Sequence, residues 1–160
     1  MDPIKVGMAE YKVMESPALL TSIGLGSCIG LVLYDAINKI GALAHIMLPK
    51  QSEAKNKSNP AKFADTSIDL MLAEMEAHGS CSRNIKAKLF GGANMFPNVQ
   101  GKILMNVGAR NAAAVKEELI KRKIAVVAED VGGHCGRTII FDTRSGKVSV
   151  KTVHGENVIY

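Results

Sequence analysis

The stretch TSIGLGSCIGLVLYD, residues 21–35, is a strand-like apolar run that is interrupted by small residues and a cysteine. Its β-branched and aliphatic residues predict buried, extended chain. Gly24, Gly26 and Ser27 interrupt the run, and Cys28 follows them. Glycines two apart allow a sharp turn and a close approach of the backbone to a ligand. The segment either presents the Cys28 thiol to a substrate or buries it in a sheet, since free cysteine is among the most buried residue types.

These glycines do not match a nucleotide-binding loop. They lie at positions 24, 26 and 30, so the pattern G-x-G-x-x-G is missed by one residue, and no Gly-Lys-Ser/Thr follows as in a P-loop. The segment after them is extended and apolar, without the pattern of an amphipathic helix. We therefore expect a steric role, in which the glycines let main-chain N–H groups come close to a bound substrate.

His45 is the polar residue of the next apolar run, which covers residues 40–49. The short turn DAINK before this run predicts that its strand pairs antiparallel with the strand that follows Cys28. That pairing would bring thiol and imidazole together, and an adjacent imidazole lowers the thiol pKa and supplies a base. The alternative is a histidine whose hydrogen bonds are satisfied inside the core.

Strand patterns lie at both ends of the chain, and two helical patterns lie between them. The first helix is predicted to follow Asp65 and Thr66, which are possible caps. The second is predicted over residues 106–123. Residues 137–153 are predicted to form a hairpin, with Gly146 free to take a positive φ in its turn.

This grouping lacks the regular βαβ alternation of a doubly wound sheet. It predicts an α+β fold of mostly antiparallel sheets, layered as a sandwich with helices covering one face (α/β/β), in a single domain over residues 1–160. The polar stretch 50–67 is predicted to be one long loop, which is either the rim of a site or a surface insertion.

Charge and composition limit the classes of partner. The formal net charge of +5 favours acidic partners. Only 4% of the residues are aromatic, tryptophan is absent and the one compact basic cluster is KRK at 121–123, so nucleic-acid binding is disfavoured. No apolar run approaches the ~20 residues that span a bilayer. The N-terminus lacks the order of a signal peptide, so a cytoplasmic protein without membrane insertion is expected.

The three cysteines are expected to be free thiols, because an odd number without a repeated short spacing leaves no complete disulfide set. His134 and Cys135 are adjacent and cannot easily chelate one ion, so no metal site is predicted. A redox switch between Cys28 and Cys135 is a weaker alternative, since nothing in the spacing brings them together.

Five motifs occur in order over nearly the whole chain, and their combination is highly specific. They are GLGSCIGLVLYD (24–35), GALAHIMLP (41–49), AKLFGGANMF (87–96), NVGARNAAAVKEEL (106–119) and EDVGGHCGRTIIFDTRSGKVSVK (129–151). Together they resemble the chemoreceptor glutamine deamidases of bacterial and archaeal chemotaxis, the CheD family. The resemblance implies a hydrolase that converts receptor glutamines to glutamates and releases ammonia, with some activity on methyl esters and without a cofactor.

The resemblance also implies the catalytic groups. The nucleophile is the cysteine of the Gly-Ser-Cys motif, Cys28, and the histidine of the family falls on His45. A threonine six residues before the cysteine completes the family's triad, and this chain has Ser22 there, preceded by Thr21. We expect the Ser22 hydroxyl to orient the imidazole, with Thr21 as the fallback if a bulge shifts the register.

The remaining site residues are expected to shape the surroundings of the thiol. Gly24, Gly26 and Ser27 would allow backbone N–H groups near Ser27 and Cys28 to stabilise an oxyanion. The segment FGGANMF supplies Phe90, Gly91, Gly92 and Phe96 as a site-flanking or partner-binding loop, with a purely structural turn as the alternative.

The partners that the resemblance implies are chemoreceptors as substrates and the CheC phosphatase. A second hypothesis from another class is a non-catalytic module that regulates receptors or this phosphatase by binding.

Overall fold

Two five-stranded sheets and two α-helices make up the fold in a computed structural model that describes residues 1–95 and 106–160. The strands are β1 (Ile4–Lys5), β2 (Tyr11–Glu15), β3 (Leu19–Leu25), β4 (Ile29–Asp35), β5 (Ile40–Ile46), β6 (Ile85–Gly91), β7 (Ala125–Val131), β8 (Arg137–Asp142), β9 (Val148–Thr152) and β10 (Asn157–Ile159). The helices are α1 (Ala64–Ala77) and α2 (Val107–Lys121).

The strands alternate between the sheets in a way that the chain order does not suggest. Sheet I has the order β1-β3-β8-β9-β10, and sheet II has the order β2-β5-β4-β6-β7. Only the pairs β1 with β3 and β6 with β7 are parallel among the described strands. The α+β class with mostly antiparallel sheets is therefore confirmed.

Sheet II lies between the helices on one face and sheet I on the other, so the fold has three layers. On β4, Ile29 and Leu31 belong to the apolar cluster shared with the helices, whereas Val32 belongs to the cluster shared with sheet I. Because side chains alternate along a strand, a strand buried on both faces is apolar at every position. Each fully buried Leu or Ile contributes roughly 1.5–3 kcal/mol. The predicted α/β/β layering is confirmed.

The apolar run around Cys28 forms two strands that belong to different sheets. β3 ends at Leu25 in sheet I, and β4 begins at Ile29 in sheet II, so residues 26–28 carry the chain from one sheet to the other. Residues 4–14 are divided in the same way, with β1 in sheet I and β2 in sheet II. A pattern of apolar residues reports burial and does not report which sheet a strand joins.

The helices and the hairpin largely follow the sequence. α2 covers 107–121 against the predicted 106–123, and β8 pairs antiparallel with β9 around a turn in which Gly146 has a φ of +75°. The start of α1 was predicted wrongly: the helix begins at Ala64, before Asp65 and Thr66, and the buried Phe63 is its N-cap residue.

The segment 50–67 is not one long loop. It contains short 3₁₀ helices at Gln51–Glu53 and Pro60–Lys62, and α1 already begins within it. The N–H groups of Met47 and Leu48 donate to the Lys62 carbonyl, which ties the segment to the end of β5. Within the described ranges, no helix is long and apolar enough to cross a membrane.

Candidate active site

The turn that carries Cys28, residues 26–28, is called the thiol turn below, and it is held in place through its carbonyl groups. The Gly26 carbonyl accepts from the Ala93 N–H at 2.9 Å, and the Cys28 carbonyl accepts from the Gly92 N–H at 2.9 Å. The Ser27 carbonyl accepts from the side-chain amide of Asn111 at 3.0 Å. Three successive carbonyl oxygens are thus fixed by the end of β6 and by α2.

The N–H groups of the same turn have no partner among the described residues. No hydrogen bond leads from the N–H of Gly26, Ser27 or Cys28 to any residue in the described part of the chain. A turn with bound carbonyls and unpaired N–H groups has the donor arrangement that an oxyanion requires. Gly26 lies against Met95, whose Cγ is 3.2 Å from the position that a Cβ on Gly26 would occupy.

Cys28 and His45 lie at the same end of one strand pair. β4 and β5 are antiparallel, with Gly30 opposite His45, as the short turn predicted. His45 shares its face with Leu43, which packs between the sheets, and Cys28 packs against the same inter-sheet cluster. The Cys28 side chain is half-buried and His45 is 3% exposed. The thiol therefore borders the gap between the sheets in which the imidazole lies.

Burial sets the protonation of both groups. It raises the pKa of the Cys28 thiol above its ordinary value. Burial also lowers the pKa of His45, while the Val6 carbonyl and the Glu10 carboxylate oppose that shift. The expected lowering of the thiol pKa by an adjacent imidazole is therefore not present, and the resting pair is a thiol with a neutral imidazole. A neutral imidazole has a lone pair that can accept the thiol proton.

Ser22 and Thr21 are both buried and both donate to backbone carbonyls. The Ser22 hydroxyl donates to the Val6 carbonyl at 2.9 Å, and the Thr21 hydroxyl donates to the Ile139 carbonyl at 2.7 Å. Ser22 shares its face with Leu20, which packs between the sheets, so it is directed toward the layer that contains His45.

The His45 Nδ1 atom is buried and has no hydrogen-bond partner among the described residues. The Val6 carbonyl that accepts from Ser22 also contributes to the pKa of His45. A cavity of about 110 Å³ opens beside His45 and is lined in part by Val6 and Thr21. The orienting role of Ser22, with Thr21 as the fallback, stays a prediction.

The glycines of FGGANMF lie directly under the thiol turn. A Cβ on Gly91 would lie 2.3 Å from the Cys28 carbonyl oxygen, and Gly92 is the donor to that oxygen. Phe90 cannot be an exposed anchor for a partner, because it is fully buried between the sheets and its ring packs edge-on against Tyr160 at 5.6 Å. Phe96 lies outside the described residues.

Gly24 lies apart from the turn. It has a φ of +69° where the β3–β8 register shifts between Ser22 and Leu25, and a Cβ there would meet nothing within 4 Å. It shapes the end of β3, two residues before the thiol turn, and its part in shaping the site stays a prediction. Cys28, Cys81 and Cys135 are all free, as predicted. The Cys135 sulfur lies 3.4 Å from Nε2 of the exposed His154.

Asn111 was missed by the sequence reasoning, although its motif was singled out. It is fully buried, and its amide also donates to the Met47 carbonyl at 2.9 Å. The signal was available: Asn111 lies one helical turn before Val115 on the buried stripe of α2, and a buried amide requires partners.

Comparisons with known proteins agree with the motifs. The family model described as CheD chemotactic sensory transduction matches residues 47–152. The "Probable chemoreceptor glutamine deamidase CheD" of Syntrophomonas wolfei is 50% identical over 157 residues, which is 98% of each chain. Proteins of the same name are 49% identical in Desulforamulus reducens (94% of this chain, 90% of the relative) and 47% identical in Clostridium novyi (95% and 94%).

One solved structure shows a weak likeness. The hypothetical protein YfiH of Bacillus licheniformis superposes with a TM-score of 0.44 at 13% identity, over 74% of this chain and 49% of that one. A likeness at this level indicates nothing about the function of this chain.

The chain belongs to the CheD family. This confirms the family expected from the five motifs, and the relatives' shared name agrees with the expected enzyme class, a protein-glutamine glutaminase. The match to the family model begins after Cys28 and His45, and the catalytic roles expected of these two residues stay predictions.

Proposed function

We propose that this protein is a chemoreceptor glutamine deamidase of chemotaxis that uses Cys28 as nucleophile and His45 as general base. Two observations support the proposal. The relatives that carry this name match almost the full length of the chain at about half identity. The single structural observation that supports it best is the Cys28 turn, which has bound carbonyls, has N–H groups without a partner among the described residues, and faces the layer that contains a buried, neutral imidazole.

In the proposed first half-reaction, the neutral His45 imidazole takes the Cys28 thiol proton as the sulfur attacks the carboxamide carbon of a receptor glutamine. The carbonyl oxygen becomes an oxyanion, which the N–H groups near Ser27 and Cys28 stabilise. When the tetrahedral intermediate collapses, the imidazolium of His45 gives its proton to the leaving nitrogen. Ammonia departs and a thioester on Cys28 remains.

In the second half-reaction, His45 takes a proton from water, and the hydroxide so formed attacks the thioester. The carbon–sulfur bond breaks, the sulfur recovers its proton and the glutamine has become a glutamate. A receptor glutamyl methyl ester fits the same sequence with methanol as the leaving group, so we include ester hydrolysis in the proposal. Ser22 would orient the imidazole that serves both half-reactions.

The partners in this proposal are chemoreceptors as substrates and, from the family resemblance, the CheC phosphatase. Acidic helical receptors suit a chain with a net charge of +5. We place the reaction in the cytoplasm.

The test is to incubate a receptor fragment with the wild type, Cys28→Ala and Cys135→Ala. Cys135→Ala is a matched control, because it removes another partly buried free thiol. We expect the mass increase from glutamine to glutamate with the wild type and with Cys135→Ala, and none with Cys28→Ala. Deamidation by Cys28→Ala would refute the mechanism. If Cys28→Ala still bound receptor or stimulated the phosphatase, the protein would have a binding role as well.

A further inference from the structure

The amide of Asn111 joins the two segments that carry the proposed catalytic groups. One helix residue donates to the Ser27 carbonyl at 3.0 Å, within the thiol turn, and to the Met47 carbonyl at 2.9 Å, two residues after His45. Asn111 is fully buried, and its own Oδ1 has no partner among the described residues. An unpaired buried acceptor is destabilising, so Oδ1 offsets part of the stabilisation that the two donated hydrogen bonds provide.

The Ser27 carbonyl and the Cys28 N–H belong to the same peptide group. In a trans peptide, the C=O and N–H bonds lie in one plane and point in opposite directions. A donor that fixes the direction of the Ser27 oxygen therefore also fixes the direction of the Cys28 N–H. Asn111 holds this oxygen toward α2, so the Cys28 N–H points away from the helix.

The neighbouring peptide groups do not duplicate this bond. Ala93 holds the Gly26 carbonyl and thereby orients the Ser27 N–H, whereas Gly92 holds the Cys28 carbonyl. Both of these donors are backbone groups at the end of β6. Within the described residues, Asn111 is the only donor to the Ser27 carbonyl.

We propose that Asn111 is a positioning residue that aims the Cys28 N–H at the oxyanion of the deamidation reaction. This inference rests on the proposed function, since it assigns a part of the same site. It adds to that function a group on α2 that touches neither the thiol nor the substrate and acts through one peptide plane.

The test compares Asn111→Ala and Asn111→Leu with Val115→Ala. Leucine keeps the approximate size of asparagine and supplies no donor, which guards against a cavity effect in the alanine variant. Val115 is fully buried one turn further along α2, so its truncation weakens the packing of the helix without removing a donor to the turn. Three measurements are made: kcat and KM on a receptor fragment, the rate of Cys28 alkylation by iodoacetamide, and the Cys28 amide resonance.

Loss of one oxyanion donor lowers kcat by about 10²–10³-fold, and a misdirected donor is expected to lower it by about 10- to 100-fold. We expect KM to stay within about threefold, because the oxyanion exists only in the transition state. Alkylation displaces iodide at a saturated carbon and forms no oxyanion, so its rate should also stay within about threefold. The Cys28 amide resonance should move in both Asn111 variants and stay in place in Val115→Ala.

The proposal is overturned if folded Asn111 variants keep the kcat of Val115→Ala, or if kcat and the alkylation rate fall by the same factor. It is also overturned if both Asn111 variants fail to fold while Val115→Ala folds, because the role of Asn111 would then be structural. If the wild type does not deamidate receptor, the proposed function fails. The amide resonance then still decides whether Asn111 orients this peptide group.

Discussion

Replacement of Gly91 by alanine should slow turnover by displacing the thiol turn. Gly91 has a φ of +103°, and its missing Cβ would lie 2.3 Å from the Cys28 carbonyl oxygen and 3.4 Å from the Cys28 carbonyl carbon. The neighbouring Gly92 N–H donates to that oxygen at 2.9 Å. The added methyl group therefore forces apart the two segments that this hydrogen bond joins.

The size of the effect follows from the clash. A carbon and an oxygen in ordinary contact are about 3.4 Å or more apart, so the turn has to move by roughly 1 Å, and a misplacement of that size lowers catalysis by about 10²-fold. The positive φ adds about 1–2 kcal/mol of strain for any residue with a Cβ. Loss of the hydrogen bond adds about 1 kcal/mol.

Gly79 supplies a matched control. Its φ is +101°, and a Cβ there would meet nothing within 4 Å. Gly79→Ala should carry the same backbone strain of about 1–2 kcal/mol, which for a chain of this size lowers Tm by roughly 2–8 °C. It should leave kcat unchanged.

The assay is kcat for receptor deamidation, measured well below the Tm of each variant, with circular dichroism as the check on folding. We expect Gly91→Ala to be folded and about 10²-fold slower than Gly79→Ala. A folded Gly91→Ala with kcat within about threefold of the control would refute the reasoning, because the position of the turn would then not limit the rate.

Three further predictions concern the titration of Asp35, the titration of Cys28 and His45, and the hydroxyl group of Ser22. Burial opposes ionisation of Asp35, but accepted hydrogen bonds outweigh it and hold the pKa of this carboxyl well below its usual range. Its contribution to stability is therefore complete above about pH 4 and is lost as the pH falls further. Unfolding of the wild type and Asp35→Asn against pH should show a steeper acid loss in the wild type, and equal slopes would contradict this. Because the pKa of the Cys28 thiol is raised, the rate of its alkylation should keep rising above about pH 8.5. Because the pKa of His45 is lowered, the acid limb of kcat/KM, which His45 sets, should fall below about pH 6.5. An alkylation plateau at neutral pH would show a preformed ion pair instead. Ser22→Ala should lower kcat by roughly tenfold through a less well oriented base, and more than Thr21→Ala does; the reverse order would give the orienting role to Thr21.

Local patterns predicted the parts of the site that depend on neighbours in sequence. The turn between β4 and β5 placed His45 on the strand beside Cys28, because a short connection between two apolar runs leaves antiparallel pairing as the simple solution. The change of sheet at residues 26–28 was not predictable in this way. Both strands are apolar, and only the packing of the whole sandwich decides which sheet each one joins.

Contacts between distant segments explain the other misses. Phe90 stands beside two glycines in a motif that looked like a surface loop, yet it fills the space between the sheets. β10 has only three residues and was not anticipated, although the adjoining Tyr160 exchanges both backbone hydrogen bonds with Val148 and packs on Phe90. No periodicity exists over so short a strand, so its pairing depends on the edge that β9 offers.

The thiol turn is positioned by segments that are distant from it in sequence. Its own residues are small, and its three carbonyls are held by Ala93, Asn111 and Gly92. These three residues all lie inside the segment that matches the family model, whereas the thiol and the imidazole precede it. The matched segment therefore supplies the donors that orient the turn. We expect a substitution of one of these donors to lower kcat by reorienting the peptide groups of the turn, without any contact with the substrate.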